Sequence, residues 1–231
     1  MAVNGLGGIE ENKWWPMVFS TRFCSCFGGS GVGCGSRTAM KSCGKRDRYI
    51  WEELRSSAPK IAWHHMVWFS GRIPKHTIIV WMAILNRLPT RVRLLQMGLA
   101  IESDRCLLCG NETETRDHLF FECHFAKNLW SSILELCCIP REACSWEGEL
   151  AWASLLLKGN SLIVRILKLP WTGHVYSIWK ERKSRFFGSR ARSKEELLGD
   201  IKEAIRIRLG GKSFNTVDPS NIALCAKWGI A

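Results

Sequence analysis

Two things are scarce in this 231-residue sequence: acidic side chains and long apolar runs. No stretch approaches the roughly 18 consecutive apolar residues a membrane-spanning helix requires, which argues against a membrane span. The opening MAVNGLGGIEENKWWPMVF has no basic segment followed by an apolar core, so it does not read as a secretory signal. Glu10 and Glu11 also speak against an organelle transit peptide. Eleven cysteines without a secretory signal imply a reducing compartment, with nucleus and cytoplasm both compatible. In such a compartment clustered cysteines are metal ligands or free thiols rather than disulfides.

The acid deficit leaves 33 Lys and Arg against 21 Asp and Glu, a net charge of +12. That charge is uneven: +2 over 1–44, +7 over 45–100, −6 over 101–157, +9 over 158–212 and zero over 213–231. A polyphosphate gains from both basic flanks, because each neutralised phosphate releases condensed counterions. RNA or DNA is therefore the favoured partner, and the acidic 101–157 region is a candidate surface for a protein partner. The plainer reading is that Lys and Arg only solubilise helical faces. Length permits one sizeable core or two small domains, and 12 Trp imply aromatic packing within it.

Residues 1–44, rich in Gly, Ser and Cys, show no apolar periodicity to offset the entropy of ordering and read as loosely ordered. Cys24, Cys26, Cys34 and Cys43 have spacings that fit no familiar metal pattern and are best read as free thiols. A short amphipathic helix is expected over 47–56, with an extended segment or helical turn before Phe69. GRIPKHTIIVWMAILNRLPT places Pro74 in a first helical turn, with Ile78, Trp81, Met82, Leu85 and Leu88 as the apolar stripe. Pro89 ends that helix, Thr90 N-caps the next, and Gly98 stops it. Phe125, Leu129, Trp130, Ile133, Leu134 and Cys137 form the apolar face of another helix, broken by Pro140. Helical patterns follow at 148–169, 174–187 and 193–209, the last capped by Ser193 and stopped by Gly210; the final twenty residues are weakly patterned.

The chemistry concentrates in CLLCGNETETRDHLFFEC, residues 106–123, with spacing Cys-x2-Cys-x8-His-x4-Cys. Two cysteines two residues apart can aim both sulfurs at one ion, and Gly110 supplies the left-handed residue that turn requires. Clustered thiolates stay deprotonated together only beside a cation. Three sulfurs and an imidazole favour one zinc ion in a closed tetrahedral shell, a structural and not a catalytic site. Cys106, Cys109, His118 and Cys123 are the expected ligands, with His124, next to Cys123, as a weaker substitute ligand. Five residues separate His118 from Cys123, about 140° on an ideal α-helix, so the backbone must depart from that geometry between them. The competing reading is three core cysteines and a core histidine.

WHHMVWFSGRIPKHTIIVWMAILNRLPTRVRLLQMGL at 63–99, followed by CLLCGNETETRDHLFFECHFAKNLW at 106–130, resembles the zinc-binding domain found downstream of the reverse transcriptase in plant LINE-type retrotransposons. The resemblance covers about residues 45–138 and includes the aromatic anchors, the helix start, the Leu-Pro-Thr turn and all four ligands. VYSIWKERKSRFF at 175–187 resembles a segment that often follows, except that Lys183 stands where Asn is frequent. The resemblance implies a zinc module of a retrotransposon-derived protein and carries over the four ligands. It does not carry over catalysis: the polymerase's Tyr/Phe-x-Asp-Asp motif is absent, as is any carboxylate set resembling a nuclease site.

The expectation is thus a mainly α protein. It has a Gly/Ser/Cys-rich segment over 1–44, a small helical domain over 45–138 stapled by a zinc site of three cysteines and one histidine, and a basic helical extension over 139–231. Lys180, Arg182, Lys183, Arg185, Arg190 and Arg192, with Trp179, Phe186 and Phe187 among them, are the expected nucleic-acid contacts: cations for phosphates and rings for bases. The alternative places those aromatics at core spacing on a solvated helix. No nucleophile–base pair or open metal shell can be assembled, so no enzyme is expected. A structural or protein-interaction module bracing a polymerase is the rival function, and a non-functional element relic the third.

Overall fold

Helices account for most of the computed structural model, which describes residues 61–159, 161–210 and 219–230. The expectations for 1–44 and for a helix over 47–56 lie outside the described residues. In chain order the helices are α1 (His64–Val67), α2 (Pro74–Ile84), α3 (Arg91–Gln96), a π-helical turn (His118–Glu122), α4 (His124–Leu136), α5 (Trp146–Leu156), α6 (Leu162–Phe186), α7 (Lys194–Leu209) and α8 (Pro219–Trp228). Among the described residues the β-type pairing is a single antiparallel bridge between Arg105 and Thr113. No helix among them is long and apolar enough to cross a membrane.

The organising element is α6. Its residues from Lys168 to Val175 are all buried, and α2, α4, α7, α8 and the π-helical turn pack around it. The periodicity suggested two helices separated near Pro170, but one 25-residue helix runs through that proline. An interior proline costs a helix about 3 kcal/mol. Here it is offset by burial on every side, including that of Trp171, whose ring is fully enclosed and whose burial contributes about 2–3 kcal/mol. The core is one continuous cluster from Met66 to Ile230, so the boundary expected at 138/139 runs through shared packing.

Local signals were read correctly at several ends. Ser193 caps α7 and forms a reciprocal capping box with Glu196. The helical pattern expected over 148–169 is instead interrupted: α5 ends at Leu156 and α6 starts after Ser161, a cap the sequence reading missed. On α4 the buried residues are Ala126, Leu129, Trp130, Ile133 and Leu134, the expected face. On α2 the expected stripe is only partly the buried face: Leu88 beyond its end is buried, and Trp81 and Met82 are half-buried against the core. The helix buries His76, Thr77, Ile79, Val80 and Ala83, while Ile78 and Leu85 are exposed. Apolar residues ring this helix on several sides, so spacing alone did not select a face. The partner did: His76 stacks on Tyr176 of α6 with ring centroids 4.3 Å apart. The weakly patterned end contains α8, whose Leu224, Cys225 and Trp228 are buried.

Candidate metal centre and cationic face

The knuckle that carries the first two ligands is built by backbone geometry. The bridge between Arg105 and Thr113 closes the hairpin, and the Cys106 N–H donates to the Glu112 carbonyl at 2.7 Å. Gly110 takes φ +76, which lets its N–H reach the Cys106 carbonyl at 2.8 Å. The second pair of ligands brackets the π-helical turn. There the Cys123 N–H donates to the His118 carbonyl at 2.6 Å, an i→i+5 bond. The wider turn brings His118 and Cys123 onto one side, which the ordinary α-helix would not do. Cys123 is then the N-cap residue of α4, so the fourth ligand sits at the very start of that helix.

These elements place one ligand atom from each of Cys106, Cys109, His118 and Cys123 within 4.8 Å of one another. The Cys106 and Cys123 sulfurs are 4.0 Å apart, and Cys109 Sγ lies 3.3 Å from His118 Nε2. A tetrahedral zinc shell has edges of about 3.8 Å between sulfurs and about 3.5 Å from sulfur to nitrogen. The donor set and its dimensions therefore fit one zinc ion held by these four residues. His124 instead lies beside Asn128, its Nε2 3.1 Å from the Asn128 amide nitrogen. Four protein ligands complete a tetrahedral shell, so bound zinc would cross-link the knuckle to the π-helical turn and α4. The shared hydrogen bond between the two sulfurs holds the Cys106 thiol above its ordinary range and Cys123 below.

Phe120 and Phe121, between the last two ligands, are buried at the centre of the aromatic core. The Phe121 ring centroid lies 5.7 Å from Trp130, 5.7 Å from Trp146 and 5.1 Å from His174. Carbonyl oxygen can only accept, so His174 Nε2 carries the proton it donates to the Phe120 carbonyl at 2.7 Å. Burial pushes this imidazole down to about 4.

A residue the sequence reading missed organises the back of the knuckle. Glu114 is fully buried. Its carboxylate accepts from the Arg91 N–H at the start of α3 (2.9 Å), from the Leu107 N–H inside the knuckle (3.3 Å) and from Arg182 Nε on α6 (2.9 Å). Arg182 Nη2 sits 2.8 Å from the same carboxylate. The partners are 68 residues apart in the sequence, and the charge of Glu114 alone gave no signal of burial.

The six expected nucleic-acid contacts divide accordingly. Arg182 is 3% exposed, and Arg185 ion-pairs with the buried Glu181 at 2.8 Å while lying over the Phe125 ring. Those two are committed internally, because α6 is central and its last turns still face the core. Lys180, Lys183, Arg190 and Arg192 point outward. Lys180 is 3.8 Å from Asp200, Arg192 pairs with Asp200 at 2.9 Å, and Arg190 pairs with Glu196. Lys183 is exposed, its ammonium 5.9 Å from the centroid of the half-exposed Phe187 ring.

Residues 47–130 match the family described as zinc-binding in reverse transcriptase. No curated protein and no solved structure matches the chain. The match contains all four ligands and is to the zinc-binding part, not to the polymerase.

Proposed function

We propose that this chain is a non-catalytic zinc-stapled module from a retrotransposon-derived protein, of plant LINE-type origin, which binds RNA or DNA through its phosphates. The observation that carries the reading is the outward half of the 180–192 segment. There Lys180, Lys183, Arg190 and Arg192 lie exposed or half-exposed, with Lys183 beside the exposed Phe187 ring. Cations neutralise phosphates and an exposed ring offers a stacking surface, a combination suited to single strands with little base readout. Zinc acts at a distance from that surface, by holding the knuckle and α4 against α6. The test is fluorescence anisotropy with single-stranded RNA and DNA oligonucleotides across a salt series. Binding should weaken steeply with salt and fall at least tenfold in a Lys180→Glu/Lys183→Glu variant. Absence of binding at low salt, or binding indifferent to salt, contradicts the reading.

A second reading has its own support. Ile78 and Leu85 of α2 are exposed, as are Leu95, Met97 and Leu99 after the following turn. An apolar surface of this kind suits a module that braces a polymerase through protein contacts. Under that reading the Lys180→Glu/Lys183→Glu variant leaves assembly with the polymerase unaffected.

A further inference from the structure

Arg185 reaches 78 residues back along the chain to the knuckle, and what it touches there is specific. Its Nη1 donates to the Leu107 carbonyl at 3.4 Å and to the Leu108 carbonyl at 3.1 Å. The Leu107 carbonyl and the Leu108 N–H belong to one peptide unit, and the Leu108 carbonyl and the Cys109 N–H to the next. The Leu108 N–H donates to the Cys106 sulfur at 3.4 Å, and the Cys109 N–H belongs to the second ligand itself. One guanidinium therefore grips the oxygen end of the peptide unit whose N–H meets a ligand sulfur, and the oxygen end of the next unit, which leads into the second ligand. The guanidinium is itself fixed: Nε to Glu181 at 2.8 Å, Nη2 to the Arg192 carbonyl at 3.4 Å, and its face 5.0 Å from the Phe125 ring centroid.

We infer that Arg185 is a positioning residue for zinc, which aligns and polarises the Leu107–Leu108 peptide unit that donates to the Cys106 sulfur and holds the Leu108–Cys109 unit that carries the second ligand. A peptide unit is a dipole of about 3.5 D, negative at oxygen. A cation at that end holds the dipole in line and strengthens the donation at the other end. N–H bonds to a metal-bound thiolate disperse its charge and fix its direction, so zinc affinity depends on groups beyond the four ligands. Lysine at this position would supply charge without the planar fork that bonds two carbonyls and Glu181 at once.

The experiment measures zinc affinity of the full chain by competition with a chromogenic zinc chelator at fixed pH. It compares wild type with Arg185→Ala, Arg185→Lys and Glu181→Gln, with Arg206→Ala on the exposed side of α7 as control. Amide hydrogen exchange at Leu108 and Cys109 is followed in the zinc-loaded proteins. Arg185→Ala should weaken zinc binding about 10- to 100-fold. Arg185→Lys and Glu181→Gln should weaken it less, Arg206→Ala should not change it, and exchange at the two amides should quicken in step with the loss. Zinc affinity within threefold of wild type in Arg185→Ala, even with lowered resistance to denaturant, overturns the inference and leaves Arg185 a fold-stabilising residue only. If Arg185→Ala does not fold, Arg185→Lys decides: wild-type affinity and unchanged exchange at both amides overturn the inference equally.

Discussion

The 180–192 segment has two faces made from the same residue types, and they do opposite things. Arg182 and Arg185 turn inward, where one meets the buried Glu114 and the other meets Glu181 and the knuckle carbonyls. Lys180 and Lys183, interleaved with them on the same helix, face water. Charge alone does not say which face binds a partner. Arg182 and Arg185 fit inside because a planar fork satisfies several fixed acceptors there at once. The difference commits one face to internal contacts and leaves the other open to solvent.

The largest effect that would break this comparison is on stability. Arg182→Ala strands the Glu114 carboxylate in the core and should cost about 3–5 kcal/mol in denaturant unfolding. Lys183→Ala should stay within about 0.5 kcal/mol. Equal costs would show that the two faces are not distinct. Replacing both partners, Glu114→Leu with Arg182→Met, should recover part of the loss, because no buried charge is left alone. The orphaned N–H groups of Arg91 and Leu107 should keep the double variant about 1–3 kcal/mol below wild type.

The outward face is sharpened by salt. For a single strand each neutralised phosphate adds about 0.7 to the log–log slope. Four outward cations therefore predict a slope near −3, and Lys180→Ala with Lys183→Ala should bring it to about −1.5. A slope unmoved by the double substitution would place the binding surface elsewhere.

A smaller, inward effect is set by pH. His174 is held neutral in the fold with its pKa lowered to about 4, against 6.5 when unfolded. Between those values the unfolded chain binds the extra proton, so stability falls as pH drops through 6.5 and levels off below 4. Between pH 7.5 and 5.5 this residue should account for about 1 kcal/mol of lost stability. His174→Gln should show that much less acid sensitivity than wild type, both zinc-loaded and unfolded by denaturant at each pH. An identical pH dependence in the two proteins would remove His174 from the account.

What was legible in the sequence was local. The four ligands lie within 18 residues, and a Cys-x2-Cys turn followed by glycine states its own geometry. The α4 face and the Ser193 cap were legible because each depends on neighbours a turn away. The α2 face was not, since Ile78 and Val80 are equally apolar and only Tyr176 and the rest of α6 decide between them. Pro170 read as a break because propensity carries no knowledge of a helix enclosed on all sides. Burial of Arg182 and Arg185 was invisible for the same reason: Glu114 and the Leu107 and Leu108 carbonyls lie 68 to 78 residues away.

The claim beneath all of this is that one metal ion ties the knuckle to α4 and thereby to α6. It is tested most directly by metal content and helicity measured together, on wild type beside Cys109→Ser. The account predicts about one zinc per chain in wild type, lost in the variant together with helical content and with cooperative unfolding. Full helicity and an unchanged unfolding transition in a zinc-free Cys109→Ser protein would contradict it.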